Sequence, residues 1–154
     1  PSGRKINDAP EFFIGGADTP FKINNDFDGS NLLKKIDAGV EFFQTQYVFD
    51  KDILETYMIK LSELNITDKA YFIIGLGVIK SAKSARWMNQ NLFGINIPEE
   101  IINRIEQSNN ESLEGAKICV ELIEKYKSIE GVSGIHLMGY KQEKEIASVI
   151  SNFK

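Results

Sequence analysis

Cysteine is almost missing from this chain: Cys119 is the single one in 154 residues. No disulfide can close within it, and a reducing cytoplasm is the simpler compartment to expect. Histidine is as scarce, with His136 alone, so a zinc site of the usual nitrogen and sulfur ligands is not expected and no metal is assigned. Positive charge is not in surplus either. The 18 Lys and Arg stand against 22 Asp and Glu, a net charge of −4, whereas a nucleic-acid binder normally carries a basic face. That balance still admits a small anionic ligand held by a few local lysines. No apolar run reaches membrane-spanning length, and the opening "PSGRKINDAPEFF" has no apolar stretch of the signal-peptide kind. Beginning at Pro1, the chain reads as the middle of a longer one.

What is present is an ordinary globular composition, 42% hydrophobic and 26% charged, at a length that suits one domain with a sizeable core. After a polar lead-in to Pro10, "EFFIGG" reads as a short strand ending in two glycines, and "ADTPFKINNDFDGS" as a long irregular connection. Ser30 is placed as the N-cap of the helix "NLLKKIDA", which Gly39 stops. The strand "FFQTQYVF" follows, then a helix from about Lys51 to Leu64. The pattern repeats with the strand "AYFIIGLG" and the helix "KSAKSARWMNQN". "FGINIP" leads into "EEIINRIEQ", where Pro98 suits the first turn because its missing amide proton is not needed there. A long amphipathic helix then carries Ala116, Cys119, Ile123 and Tyr126 on one stripe. "GIHLM" is the last strand and "QEKEIASVISNF" the last helix.

Strands alternate with helices four times, which implies right-handed βαβ units and a parallel sheet of α/β class. Four units make either a small open sheet or one half of an eight-stranded barrel, since a whole barrel needs about 250 residues. Alternation along "FFQTQYV" puts Phe43, Thr45 and Tyr47 on one face and Phe42, Gln44 and Gln46 on the other. In "GIHLM", His136 and Met138 oppose Ile135 and Leu137. An open sheet covered on both sides would be apolar on both faces, so a face of amides and imidazole points to a barrel lumen. The plainer account is that these polar side chains satisfy neighbouring backbone groups in a core. Periodicity alone favours that account.

The motifs add more. Lys34-Lys35-Ile36-Asp37-Ala38-Gly39, then Thr45-Gln46, then Phe49-Asp50 resemble the "KKVDAGA–x–TQ–x–FD" signature of the methylenetetrahydrofolate reductase family. "FFIGGADTP", "FIIGLGVIKSAKSARWM", "GINIP" and "GVSGIHLMGY" are similar to further family segments in the same order, so the resemblance covers nearly the whole chain. It implies a (β/α)8 TIM barrel with FAD at the C-terminal strand ends, of which this chain supplies the last four units, a half barrel spanning 1–154.

The implied activity is NAD(P)H-dependent reduction of 5,10-methylenetetrahydrofolate to 5-methyltetrahydrofolate, hydride passing by way of the flavin. The resemblance gives Gln46 the task of hydrogen-bonding the pterin; an uncharged amide offers both donor and acceptor. It places Asp28, Asn31 and Lys35 on the ribityl and phosphate region of FAD, with Lys34 where an arginine is usual. Without the resemblance, Lys34 and Lys35 would be an ordinary solvated helix face. The family's acidic catalyst belongs to the first barrel strand, so no catalytic residue is assigned here, and the chain is expected to need an N-terminal half or a second copy as partner.

The chain also departs from the family. Gly15 and Thr19 stand where a tyrosine and a histidine touch the flavin, and Ala82 where an aromatic packs on the folate. Gly139 to Gln142, "GYKQ", replaces "TLNR", and Lys141 is the nearest substitute for its arginine. Lys80, Lys83 and Arg86 form a basic run that either attracts a polyglutamate tail or is simply solvated. Two alternatives are a non-catalytic folate- or nucleotide-binding half barrel that dimerises to protect its edges, and another folate-barrel enzyme such as a pterin methyltransferase.

Overall fold

Three apolar runs of the sequence become strands, and the amphipathic segments become helices laid across them. A computed structural model describes residues 7, 8 and 10–153, so most of the polar lead-in lies outside the described residues. The elements are β1 Gly15–Asp18, α1 Ser30–Asp37, β2 Phe42–Tyr47, α2 Lys51–Glu63, β3 Tyr71–Leu76 and α3 Ala82–Asn91. They continue as α4 Glu99–Glu106, α5 Glu111–Tyr126, β4 Val132–Leu137 and α6 Glu143–Ile150, with a 3-10 turn at Ser151–Phe153.

The four strands are parallel and lie in sequence order, β1-β2-β3-β4. Neighbours in sequence are neighbours in space, the order found along one side of a (β/α)8 barrel rather than in a doubly wound sheet. Helices cover one face. Phe43, Phe72, Ile74 and Leu76 are sealed there against Leu54, Tyr57 and Leu61 of α2 and Ile118, Leu122 and Tyr126 of α5. Cys119 and Ile123 of α5 are buried and Ala116 is half-buried, as the stripe requires. Burial pushes the Cys119 thiol up to about 12, which makes it inert at neutral pH. The other face is open: Gln44 is exposed and Tyr71 is 60% exposed.

Helix ends follow local chemistry. Asp50 caps α2 by accepting from the Asp52 and Ile53 amides, and Ser81 and Ser84 form a reciprocal capping box on α3. Two expectations need correction. The residue capping α1 is Gly29, in the left-handed region at φ 69°; Ser30 is the first helical residue, and its N–H donates to the Asp28 carboxylate at 2.9 Å. The first strand starts at Gly15 rather than Glu11, because β2 opens at Phe42, whose partner is Gly15. Phe12 and Phe13, left without a strand partner, are exposed, and the Phe13 ring stacks on Phe42 at 5.0 Å.

Surface ion pairs tie the helices together. Arg104 of α4 reaches Glu114 and Glu121 of α5, both at 2.7 Å, and Arg86 of α3 grips Glu106 of α4 with both guanidinium nitrogens.

Candidate functional site

Ligands of open-ended α/β sheets and barrels collect where strands end and loops begin, and β2 ends irregularly. Gln44 pairs with Ile73, but Tyr47 pairs with Gly75, so β2 takes three steps where β3 takes two. This bulge interrupts the alternation read from the sequence. Thr45 and Gln46 together stand against Ile74, and Tyr47 joins the row that passes through Gly75 to His136.

A bulge leaves ladder groups without partners, and the polar side chains of this region take them up. The Gly75 N–H donates to Thr45 Oγ1 at 2.8 Å, and Thr45 Oγ1 donates to the Gln46 carbonyl at 2.8 Å. The Tyr47 N–H donates to Gln46 Oε1 at 3.0 Å. His136 Nε2 donates to the Thr45 carbonyl at 3.0 Å; with a carbonyl as acceptor, the ring proton is on that nitrogen. The Gln46 amide and the His136 imidazole therefore have a structural duty, as the plainer account expected, whereas Gln44 is exposed. Gln46 spends only its acceptor on it. Among the described residues its Nε2 donates to nothing, and the side chain is half-buried.

A cleft of about 700 Å³ opens beside this end of the sheet. It runs between the end of β1, the start of α1 and the α3–α4 loop, and Asp28, Asn31 and Lys35 all line it. Asn31 and Lys35 are one helical turn apart and share a face. Lys34, the next residue round the helix, is exposed and lies outside the lining. Lys35 Nζ donates to the Ala17 carbonyl at the end of β1. The cleft thus gathers three of the four residues assigned to a flavin and leaves Lys34 and Gln46 apart.

Asp18, at the last position of β1, is a cleft residue that the sequence did not reveal. Tyr57 donates its hydroxyl to both carboxylate oxygens, at 3.0 and 3.1 Å. Burial raises the Asp18 pKa above the ordinary carboxylate value, against the lowering effects of the Thr19 amide, the Tyr57 hydroxyl and the Lys35 charge. A carboxylate at the C-terminal end of a strand was the one signal available.

Other expectations resolve plainly. Lys80 is occupied by the Lys141 carbonyl and Glu145, and Arg86 by Glu106, so the basic run is largely neutralised. Ala82 is buried at the start of α3, where its N–H meets the Glu111 carboxylate. The Lys141 ammonium sits 5.2 Å from the centre of the Tyr140 ring. Among the described residues no group of three His, Cys, Asp or Glu is placed to hold a metal, and no helix is long and apolar enough to cross a membrane.

Parallel strands in sequence order, helices on one face, and a bulge and cleft at the strand ends define one side of a (β/α)8 barrel. The chain belongs to the methylenetetrahydrofolate reductase family, whose pattern matches residues 16–154. Among solved structures it is similar to an uncharacterized protein from Clostridium thermocellum that binds two copies of 5-methyl-5,6,7,8-tetrahydrofolic acid. The two superpose with a TM-score of 0.59 at 21% identity, over 89% of this chain and 50% of that one. This chain therefore spans about half the length of that protein, and at such identity the likeness concerns the fold. No curated protein matches it.

Proposed function

We propose that this chain is one side of a methylenetetrahydrofolate reductase-like barrel, binding a reduced folate at the strand ends through Gln46 and a flavin in the adjoining cleft. The complete protein would reduce 5,10-methylenetetrahydrofolate to 5-methyltetrahydrofolate with NAD(P)H. The observation that carries this is the placement of Asp28, Asn31 and Lys35 in one cleft, at the same end of the sheet as the unspent Gln46 amide. A second support is the family match, together with a structural neighbour whose ligand is a reduced folate.

The cleft's donor set fits FAD unevenly. Asp28 and Asn31 offer an acceptor and an amide to the hydroxyls of a ribityl chain, and the first turn of α1 faces the same space. A diphosphate would find one ammonium there, Lys35, with Lys34 reaching from outside the lining. A flavin so held supplies hydride transfer between a nicotinamide and the one-carbon unit. The residues of this chain bind and orient. Gln46 Nε2 donates to the pterin edge, the bulge fixes that amide's position, and Lys35 offsets phosphate charge.

The family resemblance puts the acid catalyst in the first barrel strand, so it would come from a complementary half, on the same or another chain. That complement would also cover the open face and the free edges of β1 and β4. Two measurements test the proposal. Purified protein should show flavin absorbance, and on adding folate and NADH it should turn over only when the complementary half is present. A colourless protein that binds folate as a dimer and never oxidises NADH would replace this reading with the non-catalytic one.

A further inference from the structure

Phe93 is 90% exposed, more than any other large apolar side chain described. A single exposed phenylalanine is common on protein surfaces, but this one is held in place. It precedes Gly94, whose left-handed backbone (φ 75°) lies so close to the Thr19 methyl that a Cβ would collide with it. Ile95 and Ile97 on the other side are buried. The Asn89 side chain clamps Ile97 by accepting its N–H at 2.7 Å and donating to its carbonyl at 2.9 Å, and Asn96 donates to Asp50 at 2.9 Å. The loop is anchored from Gly94 to Ile97, and the Phe93 ring projects at the rim of the cleft lined by Asp28, Asn31 and Lys35. Phe21, Phe27 and Tyr57 pack their rings within 5.8 Å of one another inside the same cleft.

We infer that Phe93 is a stacking wall for a flat, conjugated ring whose polar tail lies along Asp28, Asn31 and Lys35. A preset aromatic beside a few convergent polar groups is the pattern of a small-molecule site, and stacking needs no ordering of a mobile loop when the backbone is already fixed. The tail chemistry, hydroxyls beside acidic and amide groups and one phosphate-neutralising ammonium, selects a nucleotide-like ligand. The ring is either the isoalloxazine or the adenine of such a ligand, and the two differ in what they bind without the other. The inference rests on the flavin cleft proposed above.

The test is a titration of the full chain with FAD, FMN and ADP, each followed by calorimetry, for the unaltered protein, Phe93→Ala, Phe93→Trp and Tyr140→Ala. Because Phe93 covers no core, Phe93→Ala should keep its circular dichroism and melting temperature. We expect FAD affinity to fall up to about tenfold in Phe93→Ala, to return in Phe93→Trp and to be unchanged in Tyr140→Ala. An equal loss for FMN assigns the isoalloxazine to Phe93; an equal loss for ADP assigns the adenine. Equal affinities of Phe93→Ala and the unaltered protein for all three probes overturn the stacking while leaving the cleft assignment standing. No binding of any probe by the unaltered protein overturns both.

Discussion

Gln46 has two ends and, on the geometry, two tasks, so two substitutions should separate them. In Gln46→Ala the Tyr47 N–H loses its acceptor, and the net cost of one such half-buried hydrogen bond is about 0.5–1.5 kcal/mol. In a domain of this size that corresponds to a fall in melting temperature of roughly 2–4 °C per kcal/mol. Gln46→Glu keeps an acceptor oxygen at the bulge, removes the amide donor and adds a carboxylate charge that its half-buried place leaves partly solvated. The Tyr47 hydrogen bond therefore survives, and the melt should shift less than in Gln46→Ala. The loss of the donor should appear in binding instead: one missing donor to the pterin is worth roughly 2- to 12-fold in Kd by the same hydrogen-bond energy. Thermal melts give the first quantity and calorimetric titration with 5-methyltetrahydrofolate the second. Undiminished folate affinity in Gln46→Glu would remove the amide from the site, and an unshifted melt in Gln46→Ala would show that the bulge does not depend on it.

Further expectations come from neighbouring groups. Asp18 is held above the ordinary carboxylate value of 3.8, so below that value folded and unfolded states are both protonated and it costs nothing. As pH rises, the unfolded state ionises first and stability falls until the folded pKa is passed. Asp18→Asn should therefore raise the melting temperature near about pH 7 and leave it unchanged near about pH 3; equal gains at both would contradict the burial account. Thr45→Val keeps the shape but strands the Gly75 N–H and should cost about 1–3 kcal/mol in chemical denaturation. Gly115 lies so close to the Ile79 carbonyl that a Cβ would collide with it. Gly115→Ala should therefore cost about 1–3 kcal/mol or more, whereas Ala116→Ser, on the half-buried flank, should not. Acidification should loosen the packing of α4 on α5, because the Arg104 guanidinium holds Glu114 and Glu121 below the ordinary carboxylate value; that contribution is present above about pH 4.5 and lost below it.

Much of the framework was legible because its signals are periodic. β2, β3 and β4 are apolar runs bounded by turn residues, and α5 carries its stripe at three- and four-residue spacing. The first strand was misplaced because "EFF" is as apolar as a strand, yet only pairing to β2 decides which residues enter the ladder, and pairing is not local. The bulge was hidden for the same reason, since alternation assumes one residue per partner and Gln44 to Tyr47 spends an extra one. In the site, the resemblance named Asn31, Lys34 and Lys35 together. The structure keeps Asn31 and Lys35 in the cleft and turns Lys34 about 100° round the helix from Lys35, outside the lining. Asp18 lies inside the family-like "FFIGGADTP", but nothing in that segment tells of the Tyr57 hydroxyl placed beside it. Phe93 lies in no motif, and its place at the cleft rim comes from the packing of Gly94 on Thr19.

The polar trio around the bulge complicates any survey of inactive variants. Thr45, Gln46 and His136 share one small set of backbone partners, so crippling any of them displaces the others and silences activity alike. A survey scored on turnover alone would enrol all three as chemists, although two are carpenters. Only ligand affinity and folding stability, recorded side by side for each replacement, would tell the trades apart.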